Sequence, residues 1–556
     1  MSKGDMTGGW EFYYDNGILK KEAEYKKGSE IGEVKSYYKN GKLKSVKMLD
    51  ESGKENGTVK NYDRDGILYE TYEYDKGIIS AIRSFDKKGR MTHNFEREKA
   101  VLEFESYSPR GILDGTGSFD KKGRTGHWVY YTEIGVKESE MDYVEGEVEG
   151  EYLSYHPNGK IRVRQFYDEG VRDSIYLKYH QNGRLNHVAY FIDADLQGLY
   201  FITTPMGDTL EKEYYVDGNI HGRNYYYVKG KNGKQLKRVY TYYKGTLMGV
   251  EEYDAEGKMI NEIKFDKGNG RLELHYPNGE LYSIQNYENG NIQGKVTYFW
   301  AGNVRLNANF KDDKREGKWT WYHLNKKVSS EGAYKQGKQV GRWVNYHDNG
   351  KPYWVRTYTN DELNGLDTFY HANGKISTIA NRADDVREGA SKYFNPNGTL
   401  YFVRYYYKGE VIGYSYPDAN GKLKPMIEFD KGNGKVLTYF TNGKKAFEVE
   451  YVNGVYHGPY KVYYDNGKLW KSIPQYYGDN EGVRKEYYDT GILKSEQQMK
   501  SDNMEGECKY YHPNGKLKRK SEYWNDEKHG TTLLYDESGK LTKTQIWFEG
   551  ELMEEI

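Results

Sequence analysis

Six histidines occupy the same place in a recurring turn: His156 and His180, then His323, His347 and His371, then His512. Imidazoles repeated at a 24-residue interval have the form of a metal ladder. Distance argues against it. Neighbouring turns of a hairpin array are two strands apart, roughly 9–10 Å, whereas one zinc ion needs its ligand atoms about 2 Å away. These histidines read as solvated turn residues, and His221, His457 and His529 as single connector residues before Gly. Asn61-Tyr62-Asp63-Arg64-Asp65-Gly66 imitates the start of a calcium loop, but the twelfth position is Tyr72, not the bidentate Glu that such a loop needs. No metal and no cofactor is expected.

Catalysis finds no constellation. There is no nucleophile elbow, and the only cysteine, Cys508, sits in a strand slot that holds Trp343 and Tyr460 in other repeats. Gly268-Asn269-Gly270 and Gly432-Asn433-Gly434 lack the Lys-Ser/Thr and the helix of a phosphate loop. The chain is expected not to be an enzyme. One cluster has the chemistry of a binding surface. Five of the ten tryptophans fall between 300 and 354: Trp300, Trp319, Trp321, Trp343 and Trp354. Trp319 and Trp343 share a slot in neighbouring repeats, and Trp321, two residues on, points the same way. Large aromatics on a wet sheet make binding hot spots. With Tyr346, these five are the candidate partner-binding residues. Packing is the competing use, since Trp10 and Trp128 fill the same slot.

The elements that must position them are hairpins. A Gly closes a turn at 17, 41, 66, 89, 111, 135, 159 and onward to 539, with Lys326 once in its place, giving 23 units of about 24 residues. Tyr usually lies four residues before that Gly, as at Tyr13, Tyr155, Tyr346 and Tyr511. The turns Pro157-Asn158-Gly159, Pro277-Asn278-Gly279, Pro396-Asn397-Gly398 and Pro513-Asn514-Gly515 have Pro to preset the first residue and Gly for the positive φ of a closing bulge. The expected fold class is all-β: one continuous array over 1–556, an elongated antiparallel meander. Two strands per unit at about 4.8 Å would extend it roughly 220 Å, less its twist, with stability from nearest neighbours.

A longer period overlies the short one. The stretches at Tyr74–Gly89, Tyr242–Gly257 and Tyr406–Gly421 resemble one another, and each precedes a unit shortened to 22 residues. This marks possible seven-unit blocks at 74–241, 242–405 and 406–556, with the shortened units expected to bend or bulge the sheet.

With 60 Tyr, 18 Phe and 10 Trp the chain is built for strands, and its mean hydropathy of −0.99 is too polar for several compact cores. Lys+Arg and Asp+Glu are both 83, which argues against bulk attraction to nucleic acid or anionic lipid and leaves only local patches. No apolar run approaches the roughly 18 residues of a membrane helix. No signal peptide is present as given, so cytoplasm is the default, although a start at a unit boundary leaves room for a removed leader.

The pattern G-x-[W/Y]-x-x-Y-x-x-N-G-x-L followed by Y-x-x-G resembles the MORN repeat in its longer-spaced bacterial variant, over nearly the whole chain. The resemblance implies a groove-bearing β-meander that is non-catalytic and acts in protein–protein binding, scaffolding and assembly. A protein partner is therefore expected. A carbohydrate- or cell-envelope-binding surface and a lipid-associated or antitoxin-like role are the alternatives.

Overall fold

The computed structural model describes residues 6–14, 17–230, 233–254, 256–276, 278–300, 302–363, 365–383 and 385–556; Pro277 and the first residues of the opening connector lie outside them. Every regular element among the described residues is a β-strand, and the strands pair antiparallel with their sequence neighbours.

The unit from Gly317 to Tyr346 shows how the sequence makes the hairpin. Strand Gly317–Tyr322 pairs with Val328–Lys335, and that strand with Lys338–Tyr346. Between the first two, His323 N–H donates to Lys327 O (2.8 Å) and Lys326 N–H to His323 O (2.9 Å). Lys326 takes the closing position at φ 64°, so the departure from Gly leaves the turn intact at the cost of left-handed backbone. The connector Gln336-Gly337 has φ of 50° and 85°. Two positive values make a type I′ turn, whose twist matches that of the strands it joins. The meander thus alternates a bulged turn with a two-residue I′ connector.

The turn residues also bind unit to unit. His323 Nε2 lies 3.0 Å from Tyr346 O, His347 3.0 Å from Tyr370 O, His371 2.9 Å from Phe394 O, and His512 3.0 Å from Tyr535 O. Where Tyr fills the slot its hydroxyl does the same, as Tyr464 to Tyr487 O and Tyr488 to Tyr511 O, both 2.8 Å. The turn Asn donates to the next turn, as Asn349 to Ala372 O (2.8 Å), and the Lys after Gly donates there too, as Lys351 to Asn373 O (2.8 Å). Three side chains per turn therefore form a spine along one edge. The turn histidines are half-buried members of this spine, not the solvated residues that the sequence suggests. Burial pushes the His180 and His371 imidazoles below their usual range.

The chain divides into two compact units, Met1–Ser174 and Ile175–Ile556. The first holds an eight-stranded sheet from Gly8 to Glu96, then a new run of strands from Leu102. In the second, breaks fall between Lys264 and Gly270 and between Glu428 and Gly434. All three breaks lie in the shortened units. There the sheet turns a corner, and strands before and after it pack face to face. At the first corner Ile79 and Ile82 meet Leu102, Phe104 and Trp128. At the second Leu247 and Val250 meet Phe265, Leu272 and Leu274. At the third Phe402 meets Phe447 with the rings tilted by 51° and their centroids 4.8 Å apart. The later two corners share one device. An Asp–Asn bridge (Asp266 with Asn269, Asp430 with Asn433) closes a tight hairpin, and the preceding Phe covers a glycine. A Cβ on Gly270 would stand 2.8 Å from the Phe265 ring, and one on Gly434 would stand 2.5 Å from Phe429.

Within the second unit, pairing between neighbours is supplemented by distant contacts. Val228 shares a buried cluster with Trp524 and Phe548, Lys229 pairs with Glu505 at 3.5 Å, and Lys237 pairs with Glu549.

Candidate functional site

The tryptophan-rich centre is a stack. Trp319 and Trp343 are 7% and 3% exposed and share a cluster with Val296, Leu306, Ala308 and Tyr334. Tyr334 lies edge-on between them, each ring centroid 5.0 Å away, and Trp321 reaches Trp343 at 5.9 Å. The Trp319 indole N–H donates to Asn309 O (3.2 Å). The Trp343 ring occupies the space where a Cβ on Gly332 would sit. Trp321 and Trp354 are only partly buried against the cluster, and Arg356 lies over the Trp354 ring at 4.6 Å while pairing with the fully buried Asp367. Trp300 is half-buried under Arg305, and Tyr346 donates its hydroxyl to Glu331. Of the six candidates, four keep an accessible edge, while Trp319 and Trp343 hold the stack together.

A signal for that burial exists in the sequence. Eleven residues before Trp128, Trp319 and Trp343 stand Gly117, Ala308 and Gly332. The strand opposite is cleared to admit the indole, and Trp128 is 3% exposed over Gly117.

Accessible aromatic surface collects elsewhere in the second unit. Tyr190, Leu199 and Tyr214 are 45%, 47% and 48% exposed. They stand on Leu185–Ile192, Gly198–Thr203 and Thr209–Val216, three neighbouring strands, with Leu199 directly opposite Tyr214. Sequence reasoning missed this row because its residue types are those of the buried slots, and only the side of the pleat distinguishes them.

At the third corner a cavity of about 310 Å³ is lined by Arg387, Arg404 and eight aromatic residues, among them Tyr393, Phe402, Phe447 and Tyr456. Arg404 is 8% exposed. Its Nη1 donates to the Tyr406 hydroxyl (2.8 Å), and Arg387 Nη1 donates to the same oxygen (2.9 Å). Burial alone would raise the Tyr406 phenol, but the Arg404 and Arg387 guanidiniums outweigh it and bring it down to about 8.

The other groups that drew attention in the sequence are held structurally. Cys508 is fully buried, and burial pushes its thiol up. Asp63 accepts from the Asp65 and Ile67 amides (2.9 and 2.8 Å), which is an ordinary Asx turn.

The model of the MORN repeat variant matches nine segments: 6–27, 30–48, 148–169, 269–289, 315–336, 433–453, 456–476, 480–501 and 504–525. The chain carries MORN repeats. No curated protein matches the sequence. Solved structures that align with it include TcdB2-TccC3 without its hypervariable C-terminal region (12% identity, 98% of this chain, 34% of that one, TM-score 0.16). A Photorhabdus luminescens Tc holotoxin pore (10%, 97% and 34%, TM-score 0.11) and a structure described as the eukaryotic initiation factor (11%, 74% and 94%, TM-score 0.18) also align. The MORN array spans about a third of the toxin-complex chains' length, and scores this low carry no argument about fold or role. Within the array, matched MORN repeats supply Trp319, Trp321 and the cavity walls Phe447, Tyr456 and Tyr460. Arg387, Arg404 and the row Tyr190, Leu199 and Tyr214 lie outside the matched segments.

Proposed function

We propose that this repeat scaffold is non-catalytic and binds a protein partner on its sheet surface. The observation that carries the reading is the exposed row of Tyr190, Leu199 and Tyr214, three large side chains on adjoining strands held rigid by the ladder. Tyrosines with few rotatable bonds on a fixed backbone give contact area at low entropic cost. The accessible edges of Trp321 and Trp354 extend the same chemistry to the tryptophan centre.

The test is capture from the native source by the full chain and by a Tyr190→Ser/Leu199→Ser/Tyr214→Ser variant. The expected result is a partner retained by the parent and lost by the variant, with an unchanged thermal transition. Equal capture by both would refute the assignment of the row. A turnover measured on the purified chain would refute the non-catalytic reading.

A further inference from the structure

The third corner holds two positive charges, Arg404 buried and Arg387 half-buried, that no carboxylate among the described residues balances. Among the described residues neither Arg387 nor Arg404 forms an ion pair, in contrast to Arg238, which meets Glu252 at 3.0 Å, and to Arg356 and Arg382, which both meet Asp367 at 2.9 Å. The acceptors that the two guanidiniums do find are phenols: Tyr406 for both, and Tyr393 for Arg387 at 3.4 Å. Arg404 Nε and Arg387 Nε are buried without an acceptor, and so are Ser391 Oγ and the Tyr451 hydroxyl. A buried, unpaired charge is costly. Both cations line one 310 Å³ cavity, at the lower end of the range of small-molecule pockets (roughly 300–1000 Å³).

From this we infer that the cavity is a binding site for a small aromatic carboxylate. Guanidinium nitrogens that lack an acceptor call for an anion, and the two oxygens of a carboxylate suit a charge-assisted fork. The walls match a flat ring. Tyr393, Phe402 and Tyr456 already surround the Arg404 guanidinium at 5.2, 5.5 and 4.9 Å, and Phe369, Tyr401, Phe447 and Tyr460 complete an aromatic box. The bound carboxylate supplies the negative charge that the site lacks at neutral pH. Above pH 8 the Tyr406 phenolate competes for the same two cations.

The experiment is calorimetric titration of the full chain with benzoate, phenyl phosphate and benzyl alcohol, paired with the ultraviolet tyrosinate titration with and without benzoate. Saturable benzoate binding, no binding of the neutral alcohol, and a Tyr406 titration displaced to higher pH by benzoate are expected. Arg404→Gln should weaken benzoate at least tenfold. Should that variant not fold, Arg387→Lys, which keeps the charge and removes the fork, carries the test with the same tenfold loss. No saturable benzoate binding, phenyl phosphate binding without benzoate, or folded variants that bind as the parent does would each overturn the assignment.

Discussion

Glu70 offers the most direct test of how the corners are built. It is 4% exposed at the first corner, on strand Leu68–Asp75, and it pairs with no cation among the described residues. Burial, the first cause, pushes its carboxyl from the usual 4.5 up to about 7, and the nearby Asp114 charge adds to the rise. Hydrogen bonds from Tyr72, Ser106 and Asn61 oppose it without winning. A carboxyl raised on folding gives its full stability below pH 4.5, where both states are protonated. That stability is lost as pH rises towards 7, because only the folded state still holds the proton. A difference of about 2.5 between the two values, at roughly 1.4 kcal/mol for each, amounts to about 3 kcal/mol. Glu70→Gln cannot ionise, so at pH 8 it should be more stable than the parent by up to that amount, and equal to it near pH 4. An array of repeats does not open as one body, so the measurement is local. Hydrogen exchange of strands Leu68–Asp75 and Leu102–Tyr107, corrected for intrinsic rates, gives the opening free energy against pH. The parent should lose stability from pH 4.5 to 7 and the variant should not. Parallel pH profiles would refute the buried, unpaired carboxylate as the cause.

Two further perturbations address the frame. Gly332→Ala puts a methyl group where the Trp343 ring lies and should cost about 1–3 kcal/mol, seen as a lowered thermal transition with altered tryptophan fluorescence. His347→Phe removes the bond to Tyr370 O and should cost about 1 kcal/mol in local exchange. His347→Tyr, copying Tyr464 and Tyr488, should stay within about 0.5 kcal/mol of the parent.

The hairpin array is legible because its signals are local. Gly with positive φ, Asn before it and alternating Tyr each report on a few bonded neighbours, and the structure repeats what they say from unit to unit. The shortened units were legible as irregularities. That the sheet breaks there follows from packing between strands such as Leu400–Tyr407 and Lys445–Val452, which no local pattern encodes. The fate of the histidines was hidden for a related reason. A turn imidazole and a turn phenol look unlike in sequence, yet both place a donor at one height above the turn, 23 residues before its acceptor. The exposed row and the arginine cavity escaped because exposure on one side of a strand, and the absence of a counter-charge, are properties of neighbours that are distant in sequence.

The corners also differ in charge. Four residues before the motif tyrosines Tyr74, Tyr242 and Tyr406 stand Glu70, Arg238 and Phe402, and two before them stand Tyr72, Tyr240 and Arg404. The first corner therefore holds an acid with no cation partner among the described residues, the second an arginine neutralised by Glu252, and the third two arginines with no carboxylate partner among the described residues. Acidification from pH 8 to pH 6 discharges Glu70 at the first, and at the third it protonates Tyr406 and leaves the guanidiniums unopposed. A chain with no formal net charge thus carries an internal polarity along its sequence, written by single substitutions into three copies of one mould, and a falling pH erases its negative end while sharpening its positive one.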